Sequence, residues 1–257
     1  MSRVANRPTV SVHKFSSCDG CQLAFLNMGE GLIDLAQQVE IVHFDEAGMV
    51  APERATDITF VEGSVSTPED QERIQQIRQR SGLLITIGAC ATSGGIQALR
   101  NLQGEDWRAS LYATPETIAS LATSTPISDH VKVDLELWGC PIRSEQLLPL
   151  LHDLLHGVQP GKMEEPLCQS CKRSGVICTV VSQGKPCMGP VTRGGCGAVC
   201  PRMGRDCYGC SGPIDHPNRA ALERCLEGLG LLPDTIQRRF KMIHATQFGG
   251  DHRREKA

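Results

Sequence analysis

Two hydrophobic rhythms alternate along the first 160 residues. PTVSVHKF (8–15) switches between apolar and polar side chains at each step, the period of a half-buried strand. Behind it, CDGCQLAFLNMGEGLIDLAQ (18–37) places Leu23, Leu26, Leu32 and Leu35 at helical spacing and predicts one helix. VEIVHFD (39–45) and DITFVEGS (57–64) read as strands. Thr67, Pro68 and Asp70 open a polar helix, TPEDQERIQQIRQR, with the cap at Thr67 and Pro68 in the first turn. LLITIGAC (83–90) is a continuous apolar run, the mark of a buried central strand. KVDLELWG (132–139) predicts a further strand, and Ser144 caps the amphipathic helix SEQLLPLLHDLLHGV, which contains Pro149. Strands alternating with helices imply an α/β fold, a doubly wound parallel sheet with helices on both faces.

Around Gln159-Pro160-Gly161 this rhythm stops, which divides the chain into a first domain, 1–160, and a second, 161–257. From Cys168 to Cys210 come eight cysteines, many glycines and few large apolar residues, with no regular period. Such an irregular segment needs ligands to hold it together. HPNRAALERCLEGLG (216–230) and PDTIQRRFKMIHATQF (233–248) then read as a helical tail, and the residues from Gly249 form a charged, loose end. No solenoid-type repeat is visible.

Composition narrows the function classes. At 257 residues and 40% hydrophobic, the chain can bury a sizeable core. Its net charge of -3, from 26 basic and 29 acidic residues, gives no electrostatic footprint for nucleic acid. No apolar run approaches the length of a membrane span, and MSRVANRPTVSVHKF lacks the features of a secretory signal. A cytoplasmic location is expected, with export alongside a partner as the alternative.

Thirteen cysteines change the picture most. Disulfides are disfavoured in a reducing compartment, and an odd number cannot all pair within the chain, so metal binding leads. Cys18 and Cys21 follow the first strand, Cys90 ends the strand 83–90, and Cys140 follows the strand 132–139. All strands of a parallel sheet end on one edge, so these four can converge there. A helix N-terminus after Cys18-x-x-Cys21 also favours an anion. Singly, Cys90 and Cys140 read as buried core cysteines and Cys18/Cys21 as a redox pair; jointly, a shared metal centre accounts for them better. Cys168, Cys171, Cys178 and Cys187 form a second group of four, and Cys196, Cys200, Cys207 and Cys210 a third. Cys225 is left over, a core residue sharing a helical face with Leu222 and Leu229.

Structural zinc takes two well-separated cysteine pairs of short internal spacing, whereas the third group is spaced x3, x6, x2 with Pro201 after Cys200. Between Cys168 and Cys210, six basic residues (Lys172, Arg173, Lys185, Arg193, Arg202 and Arg205) face one acid, Asp206. Iron–sulfur clusters on four thiolates are anionic and suit that surround. Spacing favours iron–sulfur and leaves zinc open.

The series SSCDGCQL, FVEGSVSTPED, ITIGACATSGG, LWGCP, GKPCMGPVTRGGCGAVCP and RDCYGCSGP resembles the small subunit of [NiFe] hydrogenases, over about residues 10 to 215. The likeness is to the cytoplasmic NAD(P)-linked branch with its sulfhydrogenase delta subunits. The resemblance implies a flavodoxin-like first domain with a proximal [4Fe-4S] cluster on Cys18, Cys21, Cys90 and Cys140. It implies a distal [4Fe-4S] cluster on Cys168, Cys171, Cys178 and Cys187, with cysteine where other members have a histidine. A medial [4Fe-4S] cluster would lie on Cys196, Cys200, Cys207 and Cys210, with Cys200 where relatives often have proline. The nickel–iron site belongs to the large subunit of such enzymes. This chain would relay electrons from it to a flavin (FAD) and NAD(P)-binding partner, in some assemblies with a further iron–sulfur subunit.

Other features are weaker. His152 and His156 lie four apart on one helical face, the spacing of a metal chelate or of an ordinary helix surface. GACATSGG (88–95) could cradle phosphate, though Cys90 within it suits a cluster role. Glu62 is either a proton-relay group or a capping carboxylate, and Trp138 reads as packing rather than as an electron stepping stone. Three alternatives stay in play. One is a hydrogenase branch serving a heterodisulfide reductase or deazaflavin partner. Another is a complex I-like cluster subunit, disfavoured by Cys18-x-x-Cys21 and the eight later cysteines. The last is a zinc-stabilised interaction module.

Overall fold

The computed structural model describes residues 7–103, 107–161 and 164–248; the charged end from Gly249 lies outside them. Five strands form one sheet: β1 Thr9–Lys14, β2 Glu40–Phe44, β3 Thr56–Glu62, β4 Ser81–Ile87 and β5 Leu135–Leu137. All pairs are parallel, in the order β2-β1-β3-β4-β5. This is the flavodoxin-like order, and its direction reverses between β1 and β3, where ligand sites gather in such folds.

Helices cover both faces. α1 (Gly20–Leu26), α2 (Glu30–Gln38) and α6 (Ser144–Leu155) cover one. There Val10, Val12, Phe60 and Ile85 of the strands meet Phe25, Leu35, Leu147 and Leu151 of the helices. Phe25 stands edge-on to Phe60, ring centroids 5.1 Å apart. α3 (Pro68–Gln79) covers the other face, packing Ile74 and Ile77 on Val61 and Leu84. Thr67 caps α3 as the sequence predicts. Its Oγ1 accepts from the Asp70 N–H at 3.1 Å, and Asp70 Oδ2 accepts from the Thr67 N–H at 3.1 Å. Short helices α4 (Gly88–Ser93) and α5 (Trp107–Leu111) complete the first lobe.

Several elements differ from the sequence pattern for local reasons. The helix expected over 18–37 is two helices, because Gly29 at φ +58 turns the chain between α1 and α2. The strand expected to reach Cys90 ends at Ile87, because Gly88 at φ +85 leaves the extended conformation and starts α4. β5 holds three residues of the eight expected. Ser144 is the first helical residue of α6 and not its cap; the backbone N–H of Arg143 donates to Gln146 Oε1 instead, at 3.0 Å.

The second lobe has more structure than its cysteine run suggests. It holds α7 (Leu167–Arg173), α8 (Thr179–Gln183), α9 (Val199–Arg202), α10 (Arg219–Gly228) and α11 (Pro233–Lys241). Leu222 and Leu226 of α10 and Ile236 and Phe240 of α11 bury themselves against Leu167, Met188 and Val191. The cysteine loops therefore lean on a small apolar core supplied from later in the chain. Cys225 is not part of it: the thiol is exposed, because the buried stripe of α10 runs through Leu222 and Leu226 and leaves Cys225 on its flank.

The α3 cap predicts that Thr67→Ala loses about 1 kcal/mol of stability in urea unfolding, while Thr67→Ser retains most of it. A second expectation concerns His13 on β1, buried and stacked on His43 with ring centroids 4.4 Å apart. Burial first, then the neighbouring His43, lowers its pKa to about 3. The unfolded chain binds this proton near pH 6.5, so between there and about pH 3 unfolding takes up a proton. The His13 contribution is thus complete above about pH 6.5 and lost as pH falls towards 3. Urea midpoints measured from neutral to mildly acidic pH should fall, and less steeply in His13→Gln.

Candidate metal centre

The carboxyl edge of the sheet gathers the first four cysteines. After β1 the chain turns at Asp19, whose φ of +65 is uncommon for a residue with a side chain. Lys14 Nζ holds its Oδ2 at 2.8 Å and Ser17 Oγ donates to Oδ1 at 3.1 Å. That turn leaves Cys18 exposed and Cys21 buried in the first turn of α1. Cys90 stands on α4 just past β4, and Cys140 just past β5, with Ala89 N–H bonded to Gly139 O at 2.6 Å between their loops. Cys21 lies within electrostatic reach of Cys90 and Cys140, and Cys18 within reach of both of those.

Glycines make this approach feasible. A Cβ at Gly88 would collide with Cys21 Sγ, and one at Gly95 would come within 2.9 Å of Cys90 Sγ. Glu62, at the end of β3, is 2% exposed. It accepts from the N–H groups of Cys21 at 2.9 Å and Gln22 at 3.1 Å, so it is a capping carboxylate for α1. Burial raises its pKa against those two hydrogen bonds.

The other eight cysteines lie close to one another in the second lobe, with contacts that link 168–187 to 196–210. Cys168 is in reach of Cys171, Cys178 and Cys187, and a Cβ on Gly189 would lie 3.4 Å from Cys187 Sγ and 3.5 Å from Cys168 Sγ. Cys210 is in reach of Cys196 and Cys200, and Cys207 of Cys210. Ala198, between Cys196 and Cys200, repeats the left-handed turn at φ +55. Backbone N–H groups point at sulfur: Cys207 N to Cys187 Sγ at 3.2 Å, and Gly209 N to Cys207 Sγ at 3.3 Å.

Burial governs the charge state of these thiols. It raises Cys90 to about 12 and Cys140 and Cys168 to about 11, and neighbouring cysteines push in the same direction. Cys21, Cys207 and Cys210 are raised for the same first cause. Arg202 near Cys171 and Arg205 near Cys200 oppose the shift.

The cysteines of the sheet edge and of the later loops adjoin. Cys140 lies within electrostatic reach of Cys210, and Cys171 of Cys196. The Cys207 N–H donates to Cys187 Sγ at 3.2 Å, and Cys200 lies within reach of Cys187. All thirteen cysteines are free thiols.

Of the remaining candidates, His152 and His156 stack at 4.2 Å on the surface of α6, where His156 Nδ1 bonds the His152 carbonyl at 2.8 Å. Trp138 packs: its ring presses on Gly212, with Arg193 5.4 Å above it and His244 5.4 Å away. His244 and Ser93, which join the first and third sets, carry no mark in the sequence pattern, since a histidine near the end of an expected helix looks ordinary.

Comparison with known proteins places this geometry. Residues 18–154 match the family described as NADH ubiquinone oxidoreductase, 20 Kd subunit. The delta subunit of sulfhydrogenase 2 from Pyrococcus furiosus is 35% identical over 225 residues, covering 88% of this chain and 94% of that protein. The delta subunit of the NAD-reducing hydrogenase HoxS from Cupriavidus necator is 33% identical, covering 54% and 75% respectively. A crystal structure of an NAD+-reducing [NiFe]-hydrogenase in the H2-reduced state superposes with a TM-score of 0.55 at 26% identity, over 61% of this chain and 95% of the matched one. The chain therefore belongs to the NADH ubiquinone oxidoreductase 20 Kd subunit family, within which it is a small subunit of the [NiFe] hydrogenase type, paired with a large subunit that holds the nickel–iron site.

Proposed function

We propose that this chain is the electron-transfer subunit of a cytoplasmic, NAD(P)-linked [NiFe] hydrogenase and carries three [4Fe-4S] clusters. The lobe 1–160 holds the proximal one on Cys18, Cys21, Cys90 and Cys140. The lobe 161–257 holds the medial one on Cys196, Cys200, Cys207 and Cys210, and the distal one on Cys168, Cys171, Cys178 and Cys187. Twelve free thiols gathered where a glycine Cβ would strike sulfur and backbone N–H groups meet Sγ carry this reading.

The residues fit such groups. Every donor is a free thiol, glycines leave room where a Cβ would strike sulfur, and backbone N–H groups aim at Sγ. Bound there, such clusters supply one-electron storage and transfer, which divides the two-electron reaction H2 ⇌ 2 H+ + 2 e− of the large subunit into single steps.

The two ends of this relay suit different partners. Beside Cys90, whose thiol bonds Gln97, a groove of about 570 Å3 lined by Ile96, Leu99, Trp107 and Leu111 together with Gln97, Arg100, Gln103 and Ser110 offers a seat for the large subunit. At the other end, exposed Cys178 has exposed Ile177 (75%) and Val181 (86%) beside it in the chain, and Met203 of the same lobe is also exposed (79%). Lys172, Lys185, Arg202 and Arg205 belong to the same segment, 166–205, which contains no acidic residue. Bound clusters are anionic and offset part of this charge. The remainder suits the acidic surface of a one-electron carrier, here a flavin (FAD) and NAD(P)-binding subunit or an iron–sulfur subunit leading to it.

Two outcomes are expected. Co-purified with its large subunit, the chain should be brown and hold about twelve irons. A colourless chain with two zincs would overturn the reading, and NAD(P)+ reduction by the whole assembly checks the acceptor. Hydrogen-driven reduction of the carrier subunit should slow roughly tenfold from low to high salt, and Lys172→Glu with Arg202→Glu should slow it at low salt.

A further inference from the structure

A buried connection runs from the sheet lobe to Cys210 through His244, which is 1% exposed and lies beyond the end of α11. His244 Nε2 stands 2.9 Å from the carbonyl oxygen of Cys210, and Nδ1 stands 2.6 Å from Ser93 Oγ. A carbonyl only accepts, so the ring proton sits on Nε2, and in the neutral ring Nδ1 is an acceptor for the Ser93 hydroxyl. Ser93 follows Cys90 by three residues on α4. Thr246 Oγ1 donates to the Ser93 carbonyl at 3.3 Å, a second tie from the same segment.

The ring has little freedom to move. Trp138 lies 5.4 Å from it and Phe248 6.1 Å, centroid to centroid. Ser93 is fully buried, and its one hydroxyl proton is shared between Nδ1 and the Ala89 carbonyl, which accepts from Oγ at 2.8 Å. An imidazole is rigid, so its two nitrogens act as a spacer of fixed length between the Cys90 helix and the Cys210 loop.

We propose that His244 is a positioning residue for electron passage: it fixes the separation and orientation of the Cys90 and Cys210 loops. The proposal rests on the reading that these loops hold the proximal and medial clusters. Electron tunnelling falls off exponentially with distance, so a small opening of this junction slows transfer between the two sets while leaving their ligands in place. Without the ring, the Cys210 carbonyl and the Ser93 hydroxyl lose their shared partner, and the surrounding packing, such as Trp138 on Gly212, is left to hold the loops together.

The test uses the complex with the large subunit and compares wild type with His244→Ala, His244→Gln and Ser93→Ala. Four quantities are read: iron per chain, H2/D+ exchange, hydrogen-driven reduction of a one-electron viologen dye, and the EPR splitting between reduced neighbouring clusters. Exchange needs only the nickel–iron site, whereas two viologen cations must each draw one electron through this chain. His244→Ala and Ser93→Ala should keep wild-type iron and exchange, lose dye reduction roughly ten- to a hundredfold, and show altered EPR splitting. His244→Gln, which keeps a donor for the Cys210 carbonyl, should recover part of the rate and of the splitting. Wild-type dye reduction and splitting in either Ser93→Ala or an iron-replete His244→Ala overturn the proposal. If His244→Ala loses iron, Ser93→Ala decides, since it removes one end of the spacer and leaves the ring bonded to Cys210. A wild-type complex without cubane signals overturns the underlying reading and this one together, an outcome visible before any variant is made.

Discussion

A thiol shut away from water keeps its proton, and this structure shuts away sets of them side by side. Desolvation raises Cys21, Cys90 and Cys140, and each neighbour that ionises makes the next ionisation harder. Such a set becomes a set of thiolates only when positive charge enters among them. The rest of the architecture serves that demand. The parallel sheet ends all its strands on one edge, which brings residues 18 and 140 together without a dedicated loop. Gly88 and Gly95 remove the side chains that would separate the sulfurs. Asp19 and Ala198 hold the tight turns inside two cysteine loops in a conformation that costs about 1–2 kcal/mol per residue.

The two lobes are joined by packing as well as by the adjoining cysteines. Trp138 of the first lobe lies on Gly212 of the second, where any side chain would strike the ring, and Arg193 covers its other neighbourhood. Beneath the second lobe, Leu222, Leu226, Ile236 and Phe240 form a core that the cysteine segment lacks on its own. The last two helices are therefore a foundation on which the cysteine loops rest, and the chain beyond them returns through His244 to the sheet lobe.

Much of this was legible in the sequence, for physical reasons. Parallel strands buried on both faces leave apolar runs, which marked β3 and β4. The Thr67-to-Asp70 cap was legible because its hydrogen bonds are local. The cysteine groups stood out by spacing and by their likeness to a known family. Where the reading failed, backbone conformation overrode side-chain pattern. Gly29 split a well-patterned helix, and Gly88 ended a strand whose apolar run continued through Cys90. Cys225 was placed on the wrong side of α10, because a face three residues wide admits two stripes and only packing chooses between them. Of the two roles open to Glu62, the structure shows the capping one. His244 was invisible because its partners lie 34 and 151 residues away.

One consequence follows from where the charges sit. Residues 166–205 hold six of the 26 basic side chains and none of the 29 acidic ones. The other 217 residues, 20 basic against 29 acidic, therefore carry -9 of charge while the whole carries only -3. Acids at the borders of the basic stretch temper it: Glu165 pairs with Arg173 and Asp215 with Arg193. The surplus offered to a negatively charged visitor is therefore a local, short-ranged field, screened by salt within about 8–10 Å.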